Sequence, residues 1–544
     1  IVPKPNSIPK RNSLLVVLGT AICLPSLCQT PQPMRSPIPK LVQQDGRYAL
    51  LVDGKPYLML GMQVNNSSAW PEMMDKVWPA VEQLHANTVE APIYWEQWEP
   101  TQGHFDPSVL HVLLAQARAH HVHLVLLWFG GYKNGSGHYT PPFVKLDEAH
   151  VPHVVTKDGG KVDSLSPYSQ TLLDADRNAF AALMRELKAA DPQHTVLMVQ
   201  VENEVGSYGT VRDFSPQAQT LFQQAVPQAV LAALHKQPGR WKEVFGNDAD
   251  EFFYAWSIAR YVNEVAAAGK AIDPLPMYIN VATRNPINGG PGSYPSGGAV
   301  DRVLPIWKAT ATAIDVFGID LYDPDYKVYT TLLDLYHRPD NATFVPETGN
   351  SRVFSRFFYA ALGRGTIGWS VFGMDRTRYS NFPLGARAVD EETIAPFALN
   401  YEIFAPMDRE IAQLEFEGKV QATAEDPAEH AKTLTFGPWK ALISYGLPGF
   451  GDQENKDAPG NTPPSGGAML AQLSANEFLI TGVHCRVSFS NTEAGKHMQF
   501  VRVEEGAYRN GVWHSARIWN GDQTDYGLNF TDLPQVLRVS LATF

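Results

Sequence analysis

Thr195-Val196-Leu197-Met198-Val199-Gln200-Val201-Glu202-Asn203-Glu204 is an apolar run that turns polar at its end, and the turn-forming Gly206-Ser207-Tyr208-Gly209 follows it. Such a run, bounded by turn residues, reads as a buried strand. Two carboxylates and an amide then sit where the strand runs out. Thr343-Phe344-Val345-Pro346-Glu347 has the same form and also ends in a carboxylate. Further apolar runs lie at Tyr57–Gly61, Thr88–Tyr94, His123–Trp128, Met277–Val281, Phe317–Tyr322 and Ile367–Phe372. Helical patterns separate them, as at Pro107–His120, Arg177–Ala190 and Tyr326–His337. Strands alternating with helices predict the α/β class, and eight of them predict a (β/α)8 TIM barrel. The long interval from Tyr208 to Pro276 is expected to hold extra helices.

Active sites of such barrels lie at the C-terminal ends of the strands. Glu204 and Glu347 fall there, and so do Tyr94, Glu96, Trp128, Asn203, Tyr322 and Trp369. Polar residues are common at strand ends, so it is the joint placement that carries weight. Strands four and seven face each other across a barrel mouth. A pair of carboxyls about 5–5.5 Å apart is the arrangement that cleaves a glycosidic bond with retention, one as acid/base and one as nucleophile. Side chains alternate along a strand, so Glu202 and Glu204 could point the same way. Glu202 is then either a rival acid or a deeper network residue.

Beyond residue 405 the pattern changes. Met407–Gln421 reads as a last helix. Short alternating runs follow at Thr433–Phe436, Trp439–Tyr445, Glu477–Phe489, Phe500–Glu504, Val512–Ile518 and Val536–Leu541. Asn510-Gly511 between two of them is a hairpin signal. A Pro/Gly/Ser/Asn-rich loop, Gly451–Gly467, interrupts the series. The expectation is a C-terminal all-β, sandwich-like domain over 405–544, after a barrel over 41–404.

The chain of 544 residues is too long for one core. Its net charge of −12, without a Lys/Arg run, argues against nucleic acid as a partner. Its 12 Trp and 21 Tyr offer flat faces for sugar rings, although most such residues fill cores. Residues 1–28 read as a signal peptide: Lys10-Arg11 precede an apolar stretch to Leu24, with cleavage before Gln29. A periplasmic or secreted protein is expected, a lipoprotein anchored at Cys28 being the weaker alternative, with no stable membrane insertion after cleavage. Residues 29–40 form a Pro-rich leader. Cys485 is left alone in the body and reads as a buried structural thiol. His120, His121 and His123 lie at a helix–strand junction on the far face of the barrel, away from any site. Asp320, Asp323 and Asp325 lack the Gly and terminal Glu of a calcium loop and read as rim carboxylates. No metal and no cofactor are expected.

At the level of whole motifs the chain resembles glycoside hydrolase family 35, the retaining β-galactosidases. Tyr94-Trp95-Glu96-Gln97-Trp98-Glu99-Pro100, with Gly103-His104-Phe105-Asp106, is similar to that family's strand-two signature. Gln200–Glu204 with Gly206 is similar to its acid/base motif, Val205 replacing a tyrosine, and Pro346-Glu347 to its nucleophile strand. The resemblance implies that Glu204 is the acid/base and Glu347 the nucleophile. As in many barrel glycosidases, Asn203 before the acid would bind the sugar 2-hydroxyl, which ranks Glu204 above Glu202. Two departures stand out. Glu96 replaces an asparagine, and Leu126-Leu127-Trp128-Phe129-Gly130-Gly131 replaces the Cys-Ala-Glu-Trp motif of strand three. The pattern is closer to a bacterial subgroup acting on xyloglucan side chains. It implies an exo-β-galactosidase acting on an oligosaccharide or polysaccharide with terminal β-galactose. Tyr94, Glu96, Trp128, Tyr322 and Trp369 are the candidate sugar contacts, with Lys133 and Asn134 as hydroxyl-binding candidates in the loop after strand three. A retaining glycosidase on another plant glycan and a non-catalytic carbohydrate binder are the alternatives. A homo-oligomer is left open.

Overall fold

The structure is a computed structural model and describes residues 36–286, 289–446 and 459–544. The signal peptide and most of the leader lie outside the described residues, as does 451–458 of the loop expected at Gly451–Gly467.

Eight parallel strands close into a barrel in chain order. They are Met59–Gln63, Thr88–Tyr94, His123–Lys133, Val196–Asn203, Met277–Ala282, Val316–Leu321, Val345–Thr348 and Gly368–Phe372, here strands one to eight. Strand eight pairs with strand one, Ser370 opposite Gly61, and closes the ring. Parallel barrel strands are covered on both faces, which is why they read as unbroken apolar runs such as Leu124–Phe129. The third strand extends further than its sequence pattern indicates, through Gly130, Gly131, Tyr132 and Lys133.

Small residues let the ring close. A Cβ at Gly61 would stand 1.9 Å from Ser370 Oγ. Ser370 in turn donates to the buried Glu90 carboxyl inside the barrel. Outside strands three and four lie two long helices, Gln170–Ala190 and Ala249–Lys270. Ser169 caps the first by accepting from Leu172 N. Gly269 brings the second against Phe180 and Met184. The interval before strand five does hold extra helices: Pro216–Phe222, Gln228–Ala233 and Trp241–Phe245 precede the long one.

Three short antiparallel strands, Lys40–Gln44, Arg47–Val52 and Lys55–Tyr57, precede the barrel. Their Leu50, Val52 and Tyr57 share an apolar cluster with Val125, Leu197, Tyr278 and Phe344 of the barrel.

The C-terminal part contains a six-stranded and a four-stranded antiparallel sheet. Phe436, Trp439 and Ile443 of one sheet meet Leu470, Phe478, Ile480 and Val539 of the other in one core. The Asn510-Gly511 hairpin forms, both residues adopting positive φ (50° and 76°) as a tight two-residue turn requires. Two expectations are corrected. The helix expected over Met407–Gln421 ends at Phe416; Gly418 turns the chain in the left-handed region and Val420–Ala424 is a strand. The run Glu477–Phe489 is two strands in different sheets, broken at His484 with φ 48°. Cys485 is buried, and its thiol points at Gly467 O. Met469, Ala471, Leu479 and Val483 belong to the same apolar cluster as Phe358, Tyr359, Phe404 and Met407, so the sheets and the barrel share a continuous core.

Gly61→Ala is expected to lower stability by about 1–3 kcal/mol, the usual cost of forcing an atom into a filled core, seen as a lower thermal midpoint. An unchanged midpoint would show that the seam between strands one and eight can yield.

Candidate active site

The ends of strands three to eight open onto a cavity of about 460 Å³, lined by Lys133, Glu204, Tyr208, Asp320, Tyr322 and Glu347 among others. One carboxyl oxygen from each of Glu204, Asp320 and Glu347 lies within 4.8 Å of the other two.

Glu347 is buried at the floor. Its Oε1 accepts from Gln63 Nε2 (2.8 Å), Asn280 Nδ2 (3.2 Å) and Asn203 Nδ2 (3.4 Å). Its Oε2 accepts from Tyr322 OH at 2.7 Å. The donors come from strands one, four and five and from the residue after strand six. A buried carboxylate is tolerable only when donors replace the water it has lost.

Glu204 is half-buried. Its carboxyl is pushed up to about 7, first by burial and then by the charge of Glu347; Lys133 and a hydrogen bond with Asp320 oppose the shift. Its backbone N–H donates to Asn280 Oδ1 at 3.0 Å. The Asn280 amide also donates to Asp320 Oδ2 at 2.8 Å, so one side chain ties all three carboxyl-bearing residues together.

The end of strand four does not follow strand alternation. Glu202 and Glu204 have φ of 65° and 43°, the left-handed region that side chains other than glycine enter at a cost of about 1–3 kcal/mol. Consecutive residues, Asn203 and Glu204, thereby reach the same partner, Glu347. In a regular strand they would face opposite ways. Glu202 is turned away from the mouth. It is fully buried, its Oε2 accepts from Tyr132 N at 2.7 Å, and burial followed by the charge of Asp176 holds its carboxyl well above the ordinary range. Asp176, on the helix Gln170–Ala190, accepts from Trp128 Nε1, Gly131 N and Tyr261 OH. Of the two readings open for Glu202, the geometry fits the deeper network residue.

Asn203, Tyr322, Glu204 and Glu347 are thus brought together, with Lys133 and Asn134 in the cavity wall. The other expected contacts are not. Trp128 is completely buried, its indole committed to Asp176. Trp369 is equally buried, bonded to Tyr329 OH and packed on Phe397. Side chains that alternate outward from a barrel strand face the helices, which is where both rings point. Tyr94 is buried and stacks on Phe129. Glu96 is paired with Lys145 Nζ at 3.0 Å. None of the four lines the cavity. Asp320, read from sequence as a rim carboxylate, is only 2% exposed and belongs to the cluster itself.

Sequence reading missed Gln63, Asn280 and the role of Asp320. The available signal was a polar residue inside an apolar parallel strand, as in Met277-Tyr278-Ile279-Asn280-Val281. Three grouped carboxyls can in principle surround a cation. Here the lone pairs of Glu347 already face four protein donors, which does not suit a shared metal.

Residues 397–531 match DUF5597, a family described only as a domain of unknown function. No curated protein sequence matches the chain. Among solved structures, the chain is similar to a β-galactosidase from Bacillus circulans sp. alkalophilus, at 13% identity and TM-score 0.49, over 65% of this chain and 57% of that one. It is also similar to a GH42 β-galactosidase from G. stearothermophilus, at 12% identity and TM-score 0.48, over 66% and 58%. A family 39 glycoside hydrolase from the gut symbiont Bacteroides cellulosilyticus matches at 11% identity and TM-score 0.42, over 91% and 84%. The chain spans little more than half the length of the two β-galactosidases. Fold and residue roles therefore rest on the geometry above.

Replacing Glu347 by Gln removes the charge that helps hold Glu204 up. The Glu204 titration midpoint is expected to fall below about 7, measured by infrared or NMR titration of the carboxyl. An unmoved midpoint would assign the shift to burial alone.

Proposed function

We propose that this protein is an exported retaining exo-β-galactosidase that removes terminal β-D-galactose, with xyloglucan oligosaccharides as its substrate. The observation that carries the retaining assignment is the spacing of Glu204 and Glu347, with oxygens within 4.8 Å. That fits the roughly 5–5.5 Å of a retaining pair and leaves no room for the water that an inverting pair must hold across about 6.5–9.5 Å.

The environments divide the labour. Glu347, held by four donors, presents a fixed anion to the anomeric carbon. Glu204, pushed up to about 7, keeps its proton as the pH falls below that value. Attack by a Glu347 oxygen forms the glycosyl–enzyme ester as the Glu204 proton passes to the leaving glycosidic oxygen. Glu204, now a carboxylate, takes a proton from water, whose oxygen attacks the same carbon and releases Glu347. By the motif resemblance Asn203, which bonds Glu347, would bind the hydroxyl next to the reacting carbon. The choice of galactose and of xyloglucan rests on the motif resemblance, and export on the N-terminal leader.

Glu347→Ala is expected to abolish release of the chromophore from an aryl β-galactoside, and equal rates in wild type and variant would remove Glu347 from the mechanism. Glu204→Ala should cost about 10²–10⁴ in kcat/KM, and less on substrates whose leaving group needs no proton. Because Glu204 must start protonated, kcat/KM should decline as pH rises through about 7. A profile flat across that range would count against Glu204 as the acid. Sugars released from xyloglucan oligosaccharides, lactose and pectic galactan separate the substrates: no galactose from xyloglucan would reject that choice. Binding of galactosides without any turnover would favour a non-catalytic carbohydrate binder.

A further inference from the structure

The retaining mechanism needs two carboxyls, and three are clustered in the cavity. Asp320 is the penultimate residue of strand six, with its side chain almost completely buried. Its Oδ2 accepts from Asn280 Nδ2 at 2.8 Å. Its Oδ1 has no donor among the described residues. An ionised carboxylate in that position would leave one oxygen without a hydrogen, beside two other carboxyls. Such a group costs several kcal/mol to keep charged in a buried site and takes up a proton instead. A proton on Oδ1 removes the orphan acceptor and creates a donor. A carboxyl oxygen of Asp320 lies within 4.8 Å of one of Glu204, and the neighbouring Glu204 adds to the pressure that keeps Asp320 protonated.

We propose that Asp320 is a positioning residue that remains a neutral carboxylic acid and donates its Oδ1 proton to Glu204 in a hydrogen bond, fixing Glu204 and stabilising it as a carboxylate when it acts as base. The proposal rests on the glycosidase reading for its kinetic consequences but not for the proton itself. Asp320 keeps its proton throughout; only the hydrogen bond strengthens as Glu204 ionises.

The surroundings agree. Glu347 on strand seven and Glu204 after strand four both disfavour a charge on Asp320, as does burial, which is the largest effect; Lys133 on strand three opposes them. The phenols of Tyr208, Tyr278, Tyr322 and Tyr336 also feel Asp320, each held above the ordinary tyrosine range and therefore neutral. Asn280 supplies only an amide donor. The hydrogen bond from Asp320 lowers Glu204 against the upward push of burial and Glu347. Without it, Glu204 would hold its proton too firmly to serve as base in the second half of the reaction.

Asp320→Asn keeps a donor toward Glu204 and an acceptor toward Asn280, whereas Asp320→Ala keeps neither. In the full-length protein, the alkaline limb of kcat/KM is expected to move up by about one pH unit in Asp320→Ala. Its kcat should drop about tenfold or more, with KM falling as well, because the glycosyl–enzyme accumulates. Asp320→Asn should restore the limb to within about 0.3 pH unit and recover most of the kcat loss. An Asp320→Asn enzyme as impaired as Asp320→Ala, or an alkaline limb that moves down in Asp320→Ala, would overturn the proposal, since either would mean that an anion is required. Infrared difference spectra between wild type and Asp320→Asn at neutral pH provide a readout independent of turnover. A protonated-carboxyl band lost in that variant, but kept in Glu204→Gln, supports the neutral acid. Absence of the band overturns it even if the wild type hydrolyses no glycoside, an outcome that by itself would reject only the glycosidase reading.

Discussion

One buried negative charge organises the mouth of this barrel. The Glu347 carboxylate has lost its water and receives hydrogens from Gln63, Asn203, Asn280 and Tyr322 instead. Those donors come from separate strands, so they converge only when the ring is closed. Closure depends on the seam between Gly61 and Ser370, where no further atom fits. Polar chemistry at the top of the barrel and steric economy lower in its wall are therefore one problem. Ser370 belongs to both, because it faces Gly61 and bonds Glu90 inside the barrel.

The second constraint is local strain. Two left-handed residues at the end of strand four turn Glu202 toward the helices and bring Asn203 and Glu204 onto the same carboxylate. The cost of that geometry is offset by bonds that hold it: Tyr132 N donates to Glu202, and Glu204 N donates to Asn280 Oδ1. Strained backbone that persists at a strand end, over-determined by its surroundings, is a common property of functional sites. The Glu202–Asp176 pair behind the strand ties this turn to the helix Gln170–Ala190, so the position of Glu204 is referred to the outer shell of the barrel.

The C-terminal sheets take a different part. Among the described residues, none beyond Leu384 lines the cavity. Instead Met469, Leu479 and Val483 extend the apolar cluster of Phe358, Tyr359 and Phe404. Arg356 donates to Pro464 O across the same contact. The helix after strand seven is thus held from outside, which steadies the strand that bears Glu347.

Much was legible in the sequence. Unbroken apolar runs gave the eight strands, because parallel strands are covered on both faces, and Asn510-Gly511 gave a hairpin, because few residues accept positive φ twice in succession. Glu204 and Glu347 were legible as carboxylates closing such runs, and Asn203 by its place beside the first. The aromatic contacts were misplaced for a physical reason: sequence shows that Trp128 and Trp369 lie on strands, but not which face of the pleat each ring takes. Asp320, Asn280 and Gln63 were obscure for the converse reason, since a polar residue in an apolar strand says nothing of the partner it meets across the ring. By itself the sequence determined the order and approximate place of the strands, which are local properties of covered backbone. Only the tertiary structure decided which side chains share the cavity, because that depends on ring closure and on a left-handed turn that breaks the alternation from which sequence reasoning starts.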